Sequence, residues 1–364
     1  RMPLIDALKG LACIAIVWHH LAFYGPMSDI ARPLMPGLID LLYADGRMAV
    51  QVFLVVAGYL CVARLAPLGV RGFDRAGVQI IRRFCRLATP YAAALALAIL
   101  AAMLVRPWLS DDSVPDAPTA PQLLAHAFLL QDLTGQEALS AGVWYVAIDF
   151  QLFVLAVGLF CLGGWLQRHA HVRGMAWCVA LVVALAAVSL GWFNRQARLD
   201  VTAFYFFGAY GLGMLAYWAT RARYPQAWWC ALACLGGAAL ALEFRGRIAV
   251  ALATALLLAW AGRQPWARRP WAHGGALLHV GRVSYSIFLV HFSVCLLVNA
   301  VVGDLWPRQP WVNALGMLLA FVLSLAAGQG LYTLVESRLA PWAASLRLYL
   351  GVCCAGVFLA LAVG

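Results

Sequence analysis

Four ionisable side chains lie inside long apolar runs of this sequence: His19 and His20, Asp149, and His291. A charged residue placed mid-membrane costs about 2.5–3.5 kcal/mol on insertion scales, so each such group is a candidate for function. A histidine titrates near neutral pH and suits proton transfer. The carboxylate of Asp149 needs a partner in an apolar setting, and His20 or an arginine can supply it. Lys9 precedes His20 by eleven positions, close to three full helical turns, so the two project from one helix face about 16 Å apart along the axis. Lys9 is the only lysine among 26 basic residues. A hydrogen-bonded histidine with a snorkelling lysine would give the same pattern.

Arg82, Arg83 and Arg86, followed by Pro90, open a further apolar run. Guanidinium groups three residues apart converge on one anion and grip phosphate bidentately. Charge alone leaves two readings: a phosphate mouth, or a basic anchor at the cytoplasmic face. Trp144 stands at the outer start of the run that contains Asp149. Ser284, Tyr285 and His291 share another run, and Ser284 is too far from His291 along that helix to act with it as a nucleophile and base. Gly208, Gly211 and Gly213 imitate a nucleotide-binding loop, but no strand precedes them and close helix packing explains them.

The elements that position these residues follow from composition. Of 364 residues 64% are hydrophobic and 11% charged, against about 25% charged in an ordinary soluble domain. So few charges cannot cover an aqueous surface. Apolar runs near 8–24, 48–65, 87–105, 143–163, 175–192, 203–219, 226–242, 248–262, 283–302, 311–334 and 348–363 predict an all-α, polytopic integral membrane helix bundle of about 10–11 spans. Residues 121–130 are too short to cross and predict an interfacial or re-entrant helix. A single membrane domain over 1–364 is expected, with a core at 6–338 and an extra C-terminal helix at 348–363. The sequence begins at Arg1, so a start upstream is expected, and the first run reads as a retained helix. The ten cysteines show no C-x-x-C pair and read as packing residues.

Charge orients the bundle. With a cytoplasmic N-terminus the inner loops hold most basic residues, including Arg1, Arg64, Arg71, Arg173 and Arg268. The outer segments hold most acids, including Asp111, Asp112, Asp116, Asp132 and Glu137. The net charge of +11 is thus an orientation signal, and no nucleic-acid partner is called for.

In order along the chain, these residues resemble the acyltransferase-3 family of membrane O-acyltransferases. Asp6-Ala7-Leu8-Lys9, ten residues and then His20 match its first motif, and Ala49 to Tyr59 its second. Arg82, Arg83, Arg86, Pro90 and Tyr91 match the third. Trp144, Asp149 and Gln151 match the fourth. Gly281, Ser284, Tyr285, Ser286, Leu289 and His291 match the fifth, and Tyr332 to Arg338, with Glu336, resembles the closing signature. Lys9 stands for the family arginine, Gln51 for an aspartate, Ala57 for a serine and Asp149 for a glutamate; charge is kept at Lys9 and Asp149 and lost at Gln51.

The resemblance implies transfer of an acyl group, usually acetyl, from cytoplasmic acetyl-CoA to a saccharide hydroxyl, in a multi-pass protein of the bacterial cytoplasmic (inner) membrane. It implies His20 as general base with Asp149 orienting or charge-stabilising it. Lys9, Arg82, Arg83 and Arg86 would face the CoA phosphates, and Trp144, Ser284, Tyr285, His291 and Glu336 would line the substrate cavity. Tyr285 is also an alternative carrier of an acyl-enzyme intermediate. No metal is called for, and the other partners are membrane lipids and the acceptor, an exopolysaccharide of xanthan type or another lipid-linked saccharide. The competing reading is a transporter or flippase of a lipid-linked saccharide.

Overall fold

The structure, a computed structural model, describes residues 2–109, 113–169, 176–267, 269, 271, 274–338 and 341–363. Arg1, Asp111, Asp112, Arg173 and Arg268 of the charge map lie outside the described residues. Fourteen α-helices run along the described chain: α1 (Pro3–Phe23), α2 (Met27–Ala31), α3 (Pro36–Asp45), α4 (Val50–Leu65), α5 (Ala76–Val105), α6 (Ala120–Ala127), α7 (Val143–His169), α8 (Trp177–Gly191), α9 (Ala203–Arg221), α10 (Pro225–Leu242), α11 (Gly246–Ala261), α12 (Gly275–Leu305), α13 (Pro310–Leu334) and α14 (Trp342–Val363).

Among the described residues, eight helical stretches are long and apolar enough to cross a membrane: Pro3–Phe23, Pro36–Leu65, Ala76–Val105, Val143–His169, Trp177–Arg195, Pro225–Leu242, Gly275–Leu305 and Pro310–Arg338. The protein is an all-α, polytopic membrane helix protein, as its composition predicts. α11 is apolar but only 16 residues long. α9 and α14 occupy the other two predicted positions, with α14 beginning at Trp342, six residues before the apolar run itself. α5 likewise starts eleven residues before its run, so Arg82, Arg83 and Arg86 stand on helix and not in a loop. α3, α10 and α13 carry proline in the first turn, where the missing N–H would have had no helical partner. α6 opens on a capping box, with Gln122 N–H donating to Thr119 Oγ1 at 3.3 Å and Thr119 N–H to Gln122 Oε1 at 3.2 Å.

The chain divides into two compact units. One comprises Arg1–Lys9, Met48–Arg83 and Ile148–Gly275; the other comprises Gly10–Arg47, Phe84–Ala147 and Ala276–Gly364.

In the first unit α9 is the central helix, packed against α4, α8, α10 and α11. Its tyrosines, phenylalanines and glycines are almost all buried. The α4–α9 crossing is closest at a reciprocal pair of glycines: a Cβ on Gly58 would fall 1.9 Å from the Tyr210 carbonyl oxygen, and one on Gly213 the same distance from that of Val55. Small residues here let two backbones touch, the usual way helices associate where no hydrophobic effect drives them together.

In the second unit α12 is the most deeply placed span, with 83% of its most apolar stretch buried. Phe292, Leu296 and Ala300 form a cluster with Ala102 and Val105 of α5. Trp18 of α1 stacks on Phe321 of α13 with centroids 5.1 Å apart. The end of α1 is stitched to α12 by Asn299, whose Oδ1 accepts from Met27 N–H at 3.0 Å and whose amide donates to the Tyr24 carbonyl at 3.3 Å.

Candidate active site

Two polar pairs stand in the apolar interior, one in each unit. In the second unit α1 brings His20 against His291 of α12. His20 Nδ1 lies 2.6 Å from His291 Nε2, and the rings are nearly parallel, 8° apart with centroids at 4.8 Å. His291 is fully buried, and its Nδ1 lies 2.7 Å from the Phe288 carbonyl oxygen. Tyr24, one turn after His20, packs between that imidazole (5.6 Å) and Phe292 (5.1 Å). His19 points elsewhere: its Nδ1 meets the Leu42 carbonyl at 2.9 Å. Adjacent residues on a helix diverge by about 100°, which separates the two histidines into one that faces α12 and one that holds α3.

In the first unit α5 and α7 bring Arg83 and Asp149 into an ion pair at 2.5 Å. The guanidinium also lies over the Phe153 ring, 5.4 Å from its centroid. Its Nε–H is buried without a hydrogen-bond partner among the described residues. Cys61 and Tyr210, both buried, lie within electrostatic reach of both charges. Of the two partners the sequence leaves open for Asp149, the structure supplies the arginine. Gln151 anchors a neighbouring element: its Oε1 accepts from Ala203 N–H at 3.0 Å, at the N-terminus of α9.

Arg82 and Arg86 are exposed on α5, and Lys9 is half-buried on α1. Ser284 is buried with its hydroxyl donating to the Gly281 carbonyl of its own helix at 3.0 Å. The Tyr285 hydroxyl donates to the Leu87 carbonyl at 2.9 Å, tying α12 to α5. Glu336, two residues past the end of α13, accepts from the Ser286 hydroxyl at 2.5 Å. Trp144 is half-buried in the first turn of α7, its ring edge-on to Tyr145. Tyr145 in turn meets Phe288 edge-on at 5.4 Å. No group of three or more His, Cys, Asp or Glu side chains is placed to hold a metal ion among the described residues.

Sequence reasoning placed His291 on a cavity wall and missed its contact with His20. Its single signal was the presence of a histidine in each of two apolar runs, since buried imidazoles require partners.

A family model described as an acyltransferase domain, acyltransferase-3, matches residues 3–362. The chain belongs to the acyltransferase-3 family. No curated protein and no solved structure gives a significant match. Membership makes this multi-pass membrane protein an O-acyltransferase, with an acyl donor and an acceptor as its substrates. An imidazole pair held between two spanning helices has the chemistry to accept and release a proton.

Proposed function

We propose that this protein transfers an acetyl or other short acyl group from cytoplasmic acyl-CoA to a hydroxyl of a cell-surface or lipid-linked saccharide, with exopolysaccharide of xanthan type as the first candidate. It does so in the bacterial cytoplasmic membrane with its N-terminus inside. The observation that carries this reading is the His20–His291 contact, in which a half-buried imidazole meets a fully buried one between spanning helices of an acyltransferase. The acceptor hydroxyl gives its proton to the unprotonated ring nitrogen of His20 as its oxygen attacks the thioester carbonyl. The tetrahedral adduct then expels the CoA thiolate, which takes the proton back from the imidazolium.

Arg82 and Arg86, exposed on the basic stretch of α5, serve the CoA phosphates, with Lys9 adding positive charge on the cytoplasmic side. Arg83 is balanced by Asp149 and keeps one buried N–H donor for a ligand. Asp149, held by Arg83, thereby serves the architecture of the donor side more directly than the orientation of His20. Ser284, Tyr285, Trp144 and Glu336 shape and brace the acceptor side.

The test is mass spectrometry of surface-glycan acyl esters in cells that carry the wild type, no protein, His20→Ala or His19→Ala. General-base catalysis contributes about 10²–10⁴-fold, so His20→Ala should lose roughly that much turnover while still inserting as a monodisperse protein. His19→Ala should lose far less. Near-normal esterification by His20→Ala, or greater sensitivity at His19, would overturn the assignment.

A further inference from the structure

We propose that His291 is a positioning residue that fixes the tautomer of His20, placing the free base on Nε2. This rests on the reading of His20 as the general base and adds which nitrogen acts and why.

The hydrogen-bond chain has one neutral solution. A backbone carbonyl only accepts, so the 2.7 Å contact between His291 Nδ1 and the Phe288 oxygen places a proton on that Nδ1. A neutral His291 then carries its lone pair on Nε2. That nitrogen lies 2.6 Å from His20 Nδ1, so the His20 Nδ1–H must donate across the contact. One proton remains per ring, and His20 Nε2 is left as a lone pair. The reverse orientation requires protons on both nitrogens of His291, a cation on a side chain with no exposed surface; burying an imidazolium is far more costly than burying the neutral ring.

The acceptor at the far end of the chain is itself held. Phe288 is wedged by the start of α7: a Cβ on Gly142, which has φ +79°, would fall 2.6 Å from the Phe288 ring, and Tyr145 packs on the same ring edge-on. Only glycine combines that backbone conformation with that contact. The chain from Phe288 through His291 to His20 therefore starts from a fixed carbonyl and ends at a fixed lone pair. The logic is that of a base whose second nitrogen is occupied so that the first is always ready.

The test uses full-length protein in nanodiscs, ¹⁵N-labelled at histidine, together with four variants. The ¹⁵N spectrum of the wild type should assign His20 as the Nδ1–H tautomer, with the assignment made by loss of the signal in His20→Ala. His291→Leu removes the acceptor, and should shift His20 towards the Nε2–H form and lower kcat at least tenfold with donor KM unchanged. His291→Gln places an amide oxygen where Nε2 stood and should restore the Nδ1–H tautomer and most of kcat. His291→Asn, too short to reach, should behave like His291→Leu. An Nε2–H tautomer in the wild type overturns the proposal even if the leucine variant fails to fold. So does a folded His291→Leu with wild-type kcat, or a folded His291→Gln as inactive as His291→Leu. Loss of the base role itself would show instead as an active His20→Ala, with the tautomer result unaffected.

Discussion

Arg83 on α5 meets Asp149 on α7 at 2.5 Å, with the Asp149 side chain 5% exposed and the Arg83 side chain 27% exposed. Each charge is the reason the other is tolerated. An isolated carboxylate at that depth would have no solvent and no counter-ion, and the same holds for most of the guanidinium. The pair thus reads as one neutral object that spans two helices of the first unit.

Breaking it from one side should therefore be worse than removing it. Arg83→Ala or Asp149→Ala is expected to destabilise the protein by about 3–5 kcal/mol, because the survivor is left charged and buried. The double substitution Arg83→Met with Asp149→Leu should recover most of that loss. Thermal unfolding in detergent, followed by tryptophan fluorescence, checks this. A double variant as unstable as the singles would mean that each residue has some other necessary partner.

The two outer arginines of the same stretch should respond in kinetics and not in stability. Arg82→Ala or Arg86→Ala is expected to raise the KM for acyl-CoA about 10- to 100-fold, the loss of one charge-assisted hydrogen bond of about 1.5–3 kcal/mol. Lysine should restore part of it, having charge but no bidentate fork. Identical donor kinetics in both alanine variants would reduce these residues to anchors at the membrane face.

Gly58 and Gly213 should not accept even one methyl group. With 1.9 Å between a new Cβ and a facing carbonyl oxygen, the helices must separate, and overpacking of this kind costs about 1–3 kcal/mol. Gly158 on α7 has nothing within 4 Å of its would-be Cβ, so Gly158→Ala is expected to be neutral or stabilising by up to about 1 kcal/mol. Melting temperatures that rank the three alike would contradict the crossing.

His126, on the short helix α6 outside the spans, gives a pH dependence. It is fully buried; its Nδ1 meets the Gln122 carbonyl at 2.8 Å, and its Nε2 accepts from the Leu139 N–H at 3.2 Å. Burial holds its pKa below the usual 6.5. Below 6.5 the unfolded segment takes up a proton that the folded one refuses, so its stabilisation is full above 6.5 and lost as pH falls through the folded value. Protonation also removes the acceptor of the Leu139 N–H. Hydrogen exchange at Leu139, corrected for intrinsic rates, should be faster at pH 5 than at pH 7.5. The difference should vanish in His126→Phe, and a pH-independent wild type would refute the account.

How much of this was legible beforehand depended on range. The helices at 8–24 or 283–302 announce themselves by apolar length, because the bilayer imposes a fixed thickness on any chain that crosses it. The glycines at 208, 211 and 213 identified a packing face, since nothing else favours so many in one helix. His20, His291 and Asp149 stood out because ionisable groups are rare in such runs, and Arg83 because it belongs to a cluster of arginines just before one. Which pairs with which was not legible: one guanidinium, one carboxylate and two imidazoles permit several matches, and the choice is made by helix packing between residues far apart in the chain. The extra turns at the start of α5 were missed because arginines on a helix continue its hydrogen bonding without extending its apolar run.

His20 and His291 are separated by 271 positions. At ribosomal speeds of about 5–20 residues per second, the first imidazole waits in the membrane for roughly 15–50 s before its partner is even synthesised. During biogenesis the growing chain therefore holds a histidine with no fixed proton arrangement, and only arrival of α12 arms it. Competence is conferred late, by a helix made when most of the protein is already in the bilayer, so a chain stalled before that point cannot spend acyl donor with an oriented base.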